Sequence, residues 1–150
     1  MLHTIKYGKL EYLTADALEG SIHCFSTRYG GVSTGDFASL NLGSNRGDPQ
    51  ENVAENYRRV AAFFGVGRDD CAVTKQVHGN EVRVVTGADK HVCGSKTPYE
   101  ADGLVTTEHG LPIFCFVADC VPALLCDAEH GVIAAVHCGW RSSVADILGV

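Results

Sequence analysis

A chain of 150 residues with 45% hydrophobic and 20% charged residues can bury a core and has a folded, globular composition, which excludes disorder as its resting state. Its formal charge of -6 excludes electrostatic capture of nucleic acid or of an anionic membrane, which needs clustered Lys and Arg. No run approaches the roughly 18 apolar residues of a membrane span, and the start of the chain lacks a basic stretch followed by an apolar one. The cytoplasm is the expected setting, and small molecules the expected partners.

Seven cysteines are an odd number, and Cys24, Cys115, Cys126 and Cys138 lie inside apolar runs. Buried thiols in a reducing compartment explain them better than a disulfide framework. No Cys-x-x-Cys pair occurs, which removes zinc ribbons and thioredoxin-like centres. Any metal site has to be assembled from distant residues.

In chain order, the alternating runs Leu2 to Tyr7 and Lys9 to Leu13 around Gly8 predict an edge hairpin. Ile22 to Phe25 reads as a strand. It leads into a loop with Arg28 at its root and the pair Gly30-Gly31, which permits positive φ and close approach of the main chain to a ligand. The loop runs on through Asn41-Leu42-Gly43 to Gly47-Asp48. A helix follows, with Asp48 as N-cap, Pro49 at its first position and Glu51 closing a capping box. Val53, Tyr57, Val60, Ala61 and Phe64 then repeat at helical spacing up to Gly65. Cys71 to Val77 and Glu81 to Thr86 read as two strands joined at His78-Gly79-Asn80, and residues 87 to 100 as a loop. Ala101 to Thr106 and Leu111 to Val117 read as further strands, the second of them central. Two apolar runs around the polar turn Asp127 to Gly131 form a hairpin of buried strands. Trp140 to Val150 reads as a helix with Val144, Ile147 and Leu148 on one face. One domain is expected over residues 1–150, incomplete at its C-terminus because the chain ends inside this apolar helical pattern.

The chemistry is expected between Ala118 and Arg141. The hairpin brings its outer ends together and so places Cys120 near His137, while His78 closes another β-like run. Two imidazoles and one thiolate are a known catalytic zinc set, with the fourth tetrahedral position left to water or substrate. The plainer alternatives are hydrogen-bonded structural histidines and a merely buried cysteine. Asp119 singles Cys120 out, since a carboxylate there is costly to bury unless it accepts hydrogen bonds. Trp140 and Arg141 read as a pocket wall and an anion contact, or else as a core anchor and a solvated cation. Arg28 beside its glycine pair reads as a bidentate phosphate ligand or a surface residue. His3, His23, His91, His109 and His130 have no comparable setting.

The motifs Phe25-Ser26-Thr27-Arg28-x-Gly30-Gly31-Val32-Ser33, Asn41-Leu42-Gly43, Gly47-Asp48, Gln76-Val77-His78-Gly79, Ala101-Asp102-Gly103-Leu104-Val105-Thr106, Ala118-Asp119-Cys120-Val121-Pro122 and His137-Cys138-Gly139-Trp140-Arg141 occur in this order. Together they closely resemble the laccase-domain family, also called the multicopper polyphenol oxidase or purine nucleoside phosphorylase family. The resemblance implies an α/β (α+β) fold of two packed mixed β-sheets flanked by helices, of YfiH-like type. It implies Zn²⁺ at His78, Cys120 and His137, which would be both the metal-binding and the catalytic residues. Arg28, Asn41, Asp119 and Arg141 are the candidate substrate-binding residues. The resemblance also implies phosphorolysis of adenosine, inosine, guanosine and S-methyl-5′-thioadenosine, with adenosine deamination as a second activity. Purine nucleosides and inorganic phosphate would be the partners, and a monomer is expected. The family's usual chain continues with further pocket-forming motifs, and Cys138 and Ser142 stand where it more often has Ala and Gly.

On this reading a zinc-activated water attacks adenine C6 in deamination, and Arg28 with Arg141 holds phosphate against the ribose C1′. Three other readings compete. A metal-free cysteine hydrolase or deamidase would use Cys120 as nucleophile and His137 as base. A copper-dependent polyphenol oxidase fits the family's older name, but His-x-His pairs are absent. A truncated fragment would be non-catalytic.

Overall fold

In the computed structural model, which describes residues 1–44, 46–97 and 99–150, the alternating residues at the start form the expected hairpin. β1 (Leu2–Tyr7) and β2 (Leu10–Ala15) pair antiparallel with Tyr7 opposite Leu10. Gly8, at φ 60°, occupies the first central position of the turn, where a type II′ connection needs it. The next strand is shorter than expected. β3 covers Phe25–Ser26 alone, because the Ala15 N–H is taken by the His23 ring at 2.9 Å instead of a backbone carbonyl.

The helix α1 spans Gln50–Phe63 and buries Val53, Asn56, Tyr57, Val60 and Ala61. Its C-terminus closes as a Schellman turn on Gly65, at φ 73°, with Val66 N donating to Ala61 O. The expected capping box does not form. Pro49 is the N-cap and there is no side-chain cap bond, because the Asp48 carboxylate accepts from Ser33 Oγ, Asn41 Nδ2 and Asn52 Nδ2 instead. Phe63 packs on Tyr12 of β2 with ring centroids 4.7 Å apart, which seats α1 on the three-stranded sheet β1-β2-β3.

Asn56 is fully buried on the helix face that sequence periodicity reserves for apolar residues. Its Oδ1 accepts from Val32 N at 2.9 Å, and its Nδ2 donates to Ser33 Oγ and to Asn41 O. Asn56→Leu, which keeps the branched outline but is bulkier and cannot accept, would leave the Val32 amide without its partner in the interior. Loss of more than about 2 kcal/mol of unfolding free energy is expected by urea titration, and an unchanged midpoint would show that the bonds contribute nothing net.

The second sheet has the order β4-β5-β7-β6. β4 (Val82–Val84) runs parallel to β5 (Gly103–Thr106), which pairs antiparallel with β7 (Val132–Cys138), and β7 pairs antiparallel with β6 (Val121–Asp127). Among the described residues the chain therefore forms an α+β fold with two sheets, of which the second is mixed. Contacts group it into two compact units, residues 1–68 with 93–95 and residues 69–92 with 96–150.

Four expected elements in the second unit change. Cys71 to Val77 and Leu111 to Val117 are not continuous strands. They meet at one isolated bridge, Ala72 with Ile113, and the Gln76 side chain then binds both the N–H and the C=O of Phe116 in place of a ladder. Of the hairpin, β7 is buried from Ala134 to Cys138, but β6 is a half-buried edge strand, a position that suits Pro122, which lacks an N–H. The last helix, α2, covers only Trp140–Val144. Asp146, at φ 55°, ends it in a second Schellman turn with Ile147 N on Ser142 O. Ile147 is thereby buried, whereas Val144 and Leu148 are exposed.

Candidate metal centre

Strand register assembles two thirds of the site. Val121 lies opposite Cys138 and Pro122 opposite His137. Continuing that pairing by one residue sets Cys120 across from Gly139. Side chains two apart on a strand share a face, so Cys120 and His137 are diagonal neighbours on one side of the hairpin. The third member comes from the turn after Val77, where His78 adopts φ 61°. One donor atom from each of His78, Cys120 and His137 lies within 4.8 Å of the others, and Cys120 Sγ is 3.9 Å from His78 Nε2. His137 is buried, Cys120 partly buried and His78 exposed, so the cluster opens to solvent on the His78 side.

A buried carboxylate stands behind the two histidines, and it is Asp102, not Asp119. Asp102 Oδ1 lies 2.8 Å from His137 Nδ1 and accepts from His78 N at 2.9 Å; Oδ2 accepts from Gly79 N at 2.8 Å and Val77 N at 3.1 Å. Burial works to raise the Asp102 carboxyl, but the His137 ring and the amides of Gly79, Val77 and His78 outweigh it and hold the group below the usual carboxylate range. The main chain joins in, with His137 N donating to Asp102 O at 2.7 Å. Asp119 is exposed, its Oδ1 3.9 Å from Cys120 Sγ, so the expectation that burial singles it out is not met.

Gly139 completes the arrangement. A Cβ there would come within 2.8 Å of His78 Cδ2, 3.4 Å of Cys120 Sγ and 3.5 Å of His137 Cε1. Any side chain at 139 would thus occupy the space between the three donors. The histidine rings meet edge to face with centroids 4.7 Å apart. In a tetrahedral zinc site the neighbouring nitrogen and sulfur ligands are about 3.5 Å apart, given bond lengths of about 2.0 and 2.3 Å. The three donors, within 4.8 Å of one another, stand at or slightly beyond that spacing, and two imidazoles with one thiolate match the ion chemically.

The other expected site residues are placed as follows. Arg141 is exposed, its guanidinium 4.3 Å over the exposed Trp140 ring, which corrects the alternative of a core tryptophan. Arg28 directs Nε and Nη2 to Ala38 O, and its own carbonyl accepts from Ser39 N and Leu40 N. Asn41 donates to Asp48 and accepts from Gly43 N. Both tie down the 28–48 loop, and a shallow depression there is lined by Arg28, Asp36, Phe37, Ala38, Leu40 and Asn41. The Gly30-Gly31 pair approaches the backbone of Lys9-Leu10 and Ser39-Leu40, so its close approach is to the chain itself. None of the seven cysteines, all of them among the described residues, is in a disulfide, and burial pushes the Cys115 thiol up to about 11 and the Cys24 thiol to about 12. One contributor escaped sequence reasoning: Asp102 was visible only as a member of its motif.

The family profile described as multi-copper polyphenol oxidoreductase laccase matches residues 22–150. The chain belongs to this laccase-domain family. A purine nucleoside phosphorylase of Corynebacterium glutamicum is 44% identical over 115 residues, covering 77% of this chain and 46% of that protein. One of Deinococcus radiodurans is 45% identical over 127 residues, covering 83% and 46%. The crystal structure of YlmD from Geobacillus stearothermophilus superposes with a TM-score of 0.87 at 32% identity, over 97% of this chain and 56% of that one. This laccase-domain chain therefore spans about half the length of the curated relatives it matches.

Proposed function

We propose that this laccase-domain chain carries the zinc centre of a purine nucleoside phosphorylase. Its substrates would be adenosine, inosine, guanosine and S-methyl-5′-thioadenosine with inorganic phosphate, and adenosine deamination would be a second activity. The observation that carries the reading is the convergence of His78, Cys120 and His137 within 4.8 Å. The names of the relatives supply the reaction class. Zinc is preferred to copper because a multicopper oxidase needs several histidine-rich sites, and among the described residues there is one such cluster.

His78, Cys120 and His137 would hold the ion. Zinc held there supplies a Lewis acid that polarises a bound oxygen and lowers the pKa of a water toward neutrality. Cys120 contributes the one anionic donor. Asp102 orients the His137 ring, and Gly139 leaves the space between the donors clear. Arg141 presents an exposed guanidinium suited to phosphate, and the exposed Trp140 ring offers a flat surface for a purine. Asp119, exposed beside Cys120, is placed to accept a hydrogen bond from an exocyclic amine or ring N–H. In phosphorolysis a phosphate oxygen bonds to C1′ as the C1′–N9 bond breaks, and the purine leaves with the electron pair and takes up a proton.

The test is base release from inosine and adenosine with and without phosphate, before and after chelation. Release that requires phosphate, stops on removal of the metal and returns with zinc is expected. Release indifferent to both would overturn the proposal. The 3.9 Å approach of Cys120 Sγ to His78 Nε2 also keeps a cysteine hydrolase in view, now with His78 as partner. Chelator-resistant activity abolished by thiol alkylation would favour that reading.

A further inference from the structure

We propose that Asp102 is the positioning residue that makes this centre ready for metal: its carboxylate fixes the His137 proton on Nδ1, leaving Nε2 free to ligate, and holds the His78 turn. The inference rests on the reading that the cluster binds zinc.

The Asp102 side chain is wholly shielded from solvent. It faces three amide donors and one ring nitrogen, two contacts on each oxygen: His137 Nδ1 and the His78 amide on Oδ1, the Val77 and Gly79 amides on Oδ2. An ionised carboxylate has about four lone-pair sites and can only accept. All four are used here. The ring must therefore present an N–H at Nδ1, and a neutral imidazole has only one N–H, so the lone pair lies on Nε2. A metal ligand needs that lone pair.

The second half of the role concerns the backbone. His78 sits at φ 61°, a region that residues with a side chain rarely adopt. Three successive amides, from Val77 to Gly79, converge on the same carboxylate, so the turn is shaped around it. One group thus joins two histidines that lie far apart in sequence, and Asn80 Nδ2, bonded to Ala145 O at 3.1 Å, secures the far side of the turn.

D102N keeps the shape and replaces one acceptor by a donor. With donors facing both oxygens, the amide nitrogen must oppose either the Val77 and Gly79 amides or the pair formed by His137 and His78. In the first case the turn opens. In the second the ring accepts at Nδ1 and carries its proton on Nε2, which blocks ligation.

The experiment combines long-range proton–nitrogen NMR of His137 in the metal-free protein with zinc titration of wild type and D102N. The Nδ1–H tautomer is expected in wild type, and D102N should bind zinc about 10–100-fold more weakly, the range seen when an outer partner of a metal ligand is lost. An Nε2–H tautomer in the metal-free wild type, or unchanged zinc affinity in D102N, would overturn the inference. If D102N fails to fold, the wild-type tautomer alone decides. A wild type that binds no zinc yet shows the Nδ1–H tautomer would refute the functional reading while leaving the orientation of His137 as argued.

Discussion

Cys120→Ser is expected to weaken zinc binding by more than a hundredfold, since losing even an outer partner costs about 10–100-fold. With zinc bound, Cys120 would be the one anionic donor among the three converging groups, whereas a serine hydroxyl in its place would offer no comparable charge. The loss should be confined to the site. Cys120 is only partly buried and lies just before the edge strand β6, so unfolding free energy should change by less than about 1 kcal/mol. Zinc titration against a chromogenic chelator, paired with urea denaturation, separates the two effects. Full zinc affinity in the variant would remove Cys120 from the ligand set.

Gly139→Ala is the second substitution with a large expected effect, and its interest lies in what it leaves alone. Gly139 has φ -70° and ψ 165°, extended backbone that alanine adopts without strain. The added methyl would nevertheless stand 2.8 Å from His78 Cδ2 and against both other donors. Because His78 is exposed, its ring can swing outward to make room, and the protein should stay folded. The expected result is a cooperative thermal transition close to that of wild type with zinc affinity down by about tenfold or more, the scale of disrupting ligand orientation. Wild-type affinity in this variant would show that the donors meet elsewhere than in the space Gly139 faces.

The hairpin from Val121 to Cys138 was legible because two apolar runs around a polar turn leave little choice of register, and that register alone puts Cys120 and His137 on one face. His78 was legible through its motif, though the strand expected before it was not formed. Side chains explain that failure. Gln76 satisfies the Phe116 backbone where a ladder would have run, and alternation of apolar residues carries no sign of such a substitution.

The same blindness to polar partners accounts for the other misses. Asp48 resembled an N-cap in its local spacing, but its carboxylate is engaged by Ser33 and Asn41 of the preceding loop and by the Asn52 side chain. Asn56 fell on an apolar helix face and proved to be the hub of that same loop. Asp119 was preferred over Asp102 because it adjoins a candidate ligand in sequence. Burial and four converging nitrogens distinguish Asp102, and these exist only once β5, β7 and the His78 turn have come together. The last helix stopped early for a related reason, since Asp146 takes the left-handed conformation that the sequence pattern would assign to glycine.

The most direct measurement is the X-ray absorption spectrum at the zinc edge of the zinc-loaded protein. One sulfur at about 2.3 Å and imidazole nitrogens at about 2.0 Å are expected, at close to one ion per chain. A coordination shell without sulfur, or zinc that washes away under conditions where the chain stays folded, would contradict the meeting of His78, Cys120 and His137 around one ion.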